Sequence, residues 1–545
     1  MKRLVLATLT AALALLPSSA FRPLSAQQTR AERSAYTETS THADVIAFLD
    51  SLEALFPGAF ARGSIGTSGQ GRDIPYLVLS RPLVRTNAEA RASGKPIVYV
   101  QGNIHGGEVE GKEALQALVR DLLRNESPNV LDSIVLLVVP IYNADGNDAF
   151  GPQERMRGAQ NGPQLVGNRP NAQNLDLNRD YIKAEAPETQ GSLTMFASWD
   201  PDVFADLHTT NGSYHGYALT YSPSLHPGAM DPVLAPAGPW TRDTLLPLLR
   251  ERMRTRHKLE TFDYGNFRGR DDVTSPQKAA WETYEHVPRF GTNYYGLRNR
   301  VSVLSEAYSH DPLERRVLAT RVYVQELLSA VAEHRGTLLA RTRSAAAPRA
   351  GANVPVRSRM TTNPFNAPIL VEALIAVGDS IRYEPGLRRG YRRSGVFTAV
   401  TMPVYDRFEA ARTRTLPVGW AVPVTATKVI ERLAFHGIPL TELRGRVRVA
   451  GESFTVDSIV KAARVFQGHQ EVRVEGRWTR ATLNLGAGDY YIVRADSRHA
   501  LLAAILLEPE SDDGLTTWNF FDEQLRVGGM HPVRRILGTL PTSLR

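Results

Sequence analysis

Apolar positions along this chain fall into two kinds of run, and their alternation predicts the architecture. A strand-length run at 96–104 gives way to a helical pattern over 109–124 and then to a second buried run, SIVLLVVPIY, at 133–142. IPYLVLS (74–80), PDVFADLH (201–208) and RVSVLSEAY (300–308) are further buried-strand runs. A helix is predicted over 36–55, where Val45, Phe48, Leu49, Leu52 and Leu55 recur three and four apart behind a Thr41 cap. Others are predicted over 189–199, over 240–257 with a break at Pro247, and as one long amphipathic helix over 314–343. Strands alternating with helices favour a largely parallel sheet covered on both faces. The polar, Gly- and Asn-rich loop from Asn143 to Gln173 is long enough to expect a functional role.

After 343 the pattern changes. Residues 344–364, rich in Ala, Pro, Gly and Arg, read as a linker between domains. Beyond it, short Val-, Ile- and Tyr-rich runs such as GVFTAVTMPVY, RVRVAGESFTVDSI and GDYYIVRA alternate with turns, with one short helix at 427–437. This predicts a mostly β C-terminal domain over 365–545. A length of 545 residues, 42% of them hydrophobic, is consistent with two cores.

The N-terminus carries Lys2 and Arg3, an apolar run from Leu4 to Leu16, and small residues ending at Ala20 or Ala26. Residues 1–26 are therefore expected to be a cleaved signal peptide, which places the protein outside the cytoplasm, in a periplasm or the extracellular space. The apolar run is too short to span a bilayer and no later window is long enough, so no membrane anchor is expected. There is no cysteine, which excludes a lipid-anchored N-terminus and disulfides alike. The formal charge of +8 falls by three, to +5, when Lys2, Arg3 and Arg22 leave with the signal peptide. The remaining excess is scattered, densest at 254–258 and 388–393, which argues against a nucleic-acid partner.

The chemistry centres on PIVYVQGNIHGGEVEGKEALQAL (96–118). His105 and Glu108, three residues apart where a strand turns into a helix, can converge on one metal ion from the crevice beyond the strand's carboxyl end. A third ligand should end another buried run. His208 directly terminates one, whereas its competitor His215 follows in a loop, so His208 is favoured. Three protein ligands leave a fourth position open, the layout of a catalytic zinc. Glu306 ends a third run and is a candidate base, with a structural ion pair to a nearby arginine as the plain alternative.

HGGE (105–108), LDLNRD (175–180), DLH (206–208) and Glu306 together resemble, in order and spacing, the zinc metallocarboxypeptidases similar to carboxypeptidase A, over about Tyr36 to Arg343. The resemblance implies a mixed, mostly parallel α/β sheet flanked by helices. It implies one Zn2+ per chain held by His105, Glu108 and His208, with Asp176 accepting the other ring N–H of His105. Asn178 and Arg179 would grip the substrate's terminal carboxylate. An arginine following an NPDG-like turn, here NADG (143–146), would stabilise the oxyanion; Arg157 matches best, with Arg155 and Arg169 as rivals. Tyr284 has the spacing of a substrate-covering tyrosine, with Tyr294 and Tyr295 as rivals. Zinc-activated water would lose its proton to Glu306, which hands it to the leaving amine.

The implied substrate is a peptide with a free C-terminus. A related zinc amidase or deacylase acting on cell-wall peptides or N-acyl amino acids is the alternative, and the presence of both Asn178 and Arg179 favours the peptidase. Gly106 and Gly107 stand where the family commonly has a bulkier pair, often Ala-Arg, so an arginine that would line the substrate cleft is missing and recognition upstream of the cleaved bond is expected to depart from the family's. The absence of Asp and Glu between His286 and Ser305 suggests a pocket for neutral or acidic terminal residues.

Overall fold

The computed structural model describes residues 28–125, 129–269, 272–343, 350–378, 389–496 and 498–540. The expected signal peptide lies outside the described residues. Eight strands form the central sheet: β1 (Ala61–Thr67), β2 (Asp73–Leu79), β3 (Ile97–Gly102), β4 (Val135–Val139), β5 (Val203–Thr209), β6 (Leu219–Pro223), β7 (Thr261–Asp263) and β8 (Val301–Ala307). Their order is β1-β2-β4-β3-β5-β8-β6-β7. The four central strands run parallel, while β2 on β4 and β6 on β8 are antiparallel. All four parallel strands therefore point their carboxyl ends toward one edge, where α/β proteins place their sites.

Alternate side chains of each strand enter opposite layers. Val98 and Val100 of β3 join a core with α1 (His42–Leu55), α2 (Glu110–Arg124), α4 (Leu246–His257) and α6 (Leu313–Glu333). Ile97 and Tyr99 face the other side, against Phe196 of α3 (Pro187–Trp199) and Tyr294 and Tyr295 of α5 (Gly291–Leu297). Thr41 caps α1 through a reciprocal hydrogen-bonded pair with Asp44, as its position predicts.

Several expectations change. The helix at 314–343 is two, α6 and α7 (Arg335–Thr342), parted at His334. The break expected at Pro247 appears as a change of helical winding: Ala237–Trp240 passes into a wider π-type turn at Thr241–Leu245, and the α pattern resumes as α4 at Leu246, next to the proline that lacks an N–H. Residues 344–349 of the expected linker lie outside the described residues. Asn353–Met360 is a strand paired with Phe408–Thr415, because Val354 and Val356 are buried. The C-terminal region is mostly β, with a six-stranded sheet, but it does not pack as a separate body. Helix α9 (Ala500–Leu507), preceded by α8 (Thr427–Phe435), has the sequence ALLAAILL and is buried on every side. An all-apolar helix needs protein on all faces, and α9 finds it by joining the layer that contains Tyr294, Tyr295 and Phe204.

Candidate metal and catalytic site

The metal-ligand turn follows β3 directly. Asn103 adopts a left-handed conformation (φ 65°), which its side chain tolerates. Its Nδ2 donates to the carbonyls of His105, Gly106 and Glu108 at 3.1–3.2 Å, so one buried side chain wraps the turn before α2 begins. A Cβ on Gly106 would lie 2.1 Å from the backbone of Gly146, and one on Gly107 would lie 2.7 Å from the Gly167 carbonyl and 2.9 Å from Arg157 Cγ. These glycines therefore let the turn pack against the NADG segment and Arg157.

The second half comes from strand register. His208 near the end of β5 lies directly opposite Glu306 of β8 in parallel pairing. The resulting donor set is compact: His105 Nδ1 to Glu108 Oε1 is 3.0 Å, His208 Nδ1 to Glu108 Oε2 is 3.0 Å, and the two Nδ1 atoms are 3.2 Å apart. All three residues are buried. Zinc bonds of about 2.0–2.2 Å at near-tetrahedral angles put ligand atoms about 3.3 Å apart, so this donor set fits that ion.

The outer ring nitrogens agree with this. His105 Nε2 lies 3.1 Å from Asp176 Oδ1, and His208 Nε2 lies 2.9 Å from Asp206 Oδ2. Protons held there leave two Nδ1 lone pairs facing one another, an arrangement that needs a cation between them. Asp176 also accepts from Arg169 Nε at 2.9 Å and from the Asn178 backbone at 3.0 Å. Burial alone would raise its carboxyl, but His105, Arg169 and Arg179 hold it far below the usual range.

A cavity of about 350 Å³ opens over this cluster. His105, Glu108, His208 and Glu306 line it, as do Asn178, Arg179, Arg169 and Tyr284. Glu306 is 7% exposed, its Oε2 has no hydrogen-bond partner among the described residues, and burial pushes its carboxyl up to about 8. The Arg179 guanidinium stacks 3.8 Å over the Phe290 ring, and Asn178 Oδ1 accepts from the Gly291 backbone at 2.9 Å. Tyr284 packs against Tyr264 and Phe290 with ring centroids 5.7 and 5.2 Å away. Its rivals Tyr294 and Tyr295 are fully buried in the core.

Arg157 is not where the sequence put it. It donates from Nη1 to Glu108 Oε1 at 2.8 Å and does not line the cavity. The space left by Gly107 admits its stem there. Arg169 is the arginine that faces the cavity, and Arg155 is exposed. His215 is a packing residue, buried against Tyr308 and Trp281, with its ring pushed down to about 3 by burial. Sequence reasoning assigned no role to Asp206, Leu304 or Glu285. The first two precede His208 and Glu306 by two strand residues and so share their faces, a readable signal. Glu285 lies one residue outside the segment judged free of acids, yet it lines the cavity, which removes the basis for expecting only neutral or acidic terminal residues.

Comparison with known proteins accords with this geometry. Residues 45–227 match the sequence profile of the zinc carboxypeptidase family. That stretch is similar to a zinc carboxypeptidase domain. Carboxypeptidase 2 of Trichophyton equinum is 24% identical over 492 residues, covering 86% of this chain and 81% of the relative. Carboxypeptidase 2 of Trichophyton rubrum is 23% identical over 481 residues, with the same coverages. These alignments run past the profile match, so the similarity extends into the C-terminal half. Among solved structures, a metallo-carboxypeptidase from Burkholderia cenocepacia aligns at 17% identity and a TM-score of 0.39, covering 55% of this chain and 70% of that one. The profile match and these relatives thus make residues 45–227 similar to zinc carboxypeptidases, and the similarity to the fungal carboxypeptidases spans most of the chain.

Proposed function

We propose that this protein is an exported zinc carboxypeptidase that removes the C-terminal residue from peptides that end in a free carboxylate. The observation that carries this reading is the shared cavity, in which a zinc-sized donor set, an unpartnered carboxylate and two arginines face the same space. His105, Glu108 and His208 would hold one zinc per chain, and when bound the ion supplies a Lewis acid that polarises the scissile carbonyl and acidifies water. Asn178 and Arg179 bind the terminal carboxylate, whose planar geometry suits the guanidinium fork. Glu306 accepts the proton of the attacking water at Oε2 and returns it to the leaving amine. Arg169, rather than Arg157, stabilises the negative charge that builds on the carbonyl oxygen. Tyr284 and Phe290 wall the cavity and exclude water, and the Glu285 carboxylate gives the pocket a partner for basic terminal side chains.

Export rests on residues 1–26 alone. Among the described residues no helix is long and apolar enough to cross a membrane, and N-terminal sequencing of the mature protein should begin after Ala20 or Ala26.

The deciding assay is mass spectrometry of a peptide library offered with free and with amidated C-termini. Cleavage should be confined to free termini; equal cleavage of both would refute the proposal and favour the amidase. In the same assay Glu306→Gln should retain zinc and lose about 10²–10⁴-fold in turnover. His208→Ala should lose the metal itself, as read by elemental analysis.

A further inference from the structure

The two strands that end in His208 and Glu306 open at their other ends onto a second cavity of about 400 Å³. Seven-residue strands put the two sites roughly 20 Å apart on opposite edges of the sheet. Arg300, the residue before β8, and Asp200, shortly before β5, both line it. So do Arg91, Arg298, Arg343 and Arg498, which makes five guanidinium groups against one lining carboxylate.

The ion pairs these arginines make among the described residues all go to Asp200 and to Asp202 just behind it. Five cations share two anions, which leaves a net charge of three positive, and Arg298 makes no ion pair among the described residues. Arg298 instead donates to the Tyr294 hydroxyl and the His436 carbonyl, both at 2.9 Å. Arg300 is only 4% exposed, and its buried Nε has no partner among the described residues. Placing like charges together away from water is costly unless an anion joins them. Nothing in the reaction at the far edge of the sheet uses this cluster.

We propose that this cavity binds a small phosphate-bearing ligand of at least two negative charges. Guanidinium forks arriving from several directions match the oxygens of a phosphate. The volume lies within the range of small-molecule sites, about 300–1,000 Å³. Leu297 and Leu501 supply an apolar wall for an organic part of the ligand. Arg498 and Leu501 belong to the C-terminal region and the other arginines to the zinc carboxypeptidase part, so the bound anion ties the two together across their seam.

The test uses the full mature chain and inorganic phosphate, with succinate as a dicarboxylate arm and NaCl at matched ionic strength as a screening control. Calorimetry should show saturable phosphate binding, accompanied by a melting-temperature rise of about 2 °C or more. Arg498 has a half-exposed side chain at the rim, so Arg498→Ala should fold normally and weaken phosphate binding about tenfold. Arg498→Glu should abolish it while leaving zinc content unchanged. Tighter binding of succinate than of phosphate, a melting shift equal to that in NaCl, or undiminished binding by Arg498→Glu would each overturn the proposal.

Discussion

Arg157 and Arg169 approach the same Glu108 carboxylate oxygen, at 2.8 and 3.4 Å, yet only Arg169 also faces the cavity. Arg157→Ala should therefore act through the metal, lowering zinc affinity about 10–100-fold while the zinc-saturated enzyme keeps most of its turnover. Arg169→Ala should lower kcat about 10²–10³-fold in enzyme loaded with zinc. Equal kcat losses in zinc-saturated forms of both variants would contradict this division. At this scale the sequence was most informative where a side chain ends a buried run. His105, Glu108, His208 and Glu306 were legible because a polar residue closing an apolar strand is costly without a task. Arg157 was misplaced because its position depends on a long loop folding over Gly107, which leaves no periodicity to read.

Among the elements, the buried strands were legible to within a few residues, since a run of β-branched and aliphatic positions specifies a two-sided environment by itself. Helix α9 was not. Its eight apolar residues have no polar face to reveal a helical period, and eight residues suit a strand equally well. Its burial makes it a sensitive place to probe: Leu506→Ala should cost about 2–5 kcal/mol, measured by chemical denaturation, and a cost near zero would mean that α9 is not part of the core.

The end of α3 invites a different test. Asp200 caps that helix in a left-handed conformation, and although burial alone would raise its carboxyl, Arg300, Arg498 and Arg91 hold it down to about 2. A carboxyl depressed in the folded state adds stability above its unfolded value near 4 and loses it as pH falls toward 2; the full amount is on the order of 2 kcal/mol. Melting temperature should accordingly drop more steeply between pH 5 and pH 3 in the wild type than in Asp200→Asn. Parallel curves would show that Asp200 carries no such linkage.

For the whole molecule, the C-terminal region supplies part of the central sheet's second layer. Acids in the 506–522 stretch are largely buried and face basic groups. Asp512 lies 3.0 Å from His286, Asp513 lies 3.1 Å from Arg289, and Glu510 pairs with Arg412 and Arg414. Two of these contacts join the C-terminal region to residues adjoining Glu285 and Phe290 in the cavity wall. A chain ending at 343 would expose the α9-facing side of Tyr294 and Tyr295, so it should be insoluble or aggregate. Recovery of a monomeric, zinc-loaded fragment by size-exclusion chromatography would show instead that the first part folds alone.

The order of strands and helices, and the residues able to hold a metal, follow from the sequence alone, because apolar periodicity and the placement of polar groups at strand ends are local properties. Only the tertiary structure decided which arginines face the cavity, why Gly106 and Gly107 are small, and where α9 is buried. Each of these depends on segments distant in sequence meeting at close range, and no local pattern encodes that meeting.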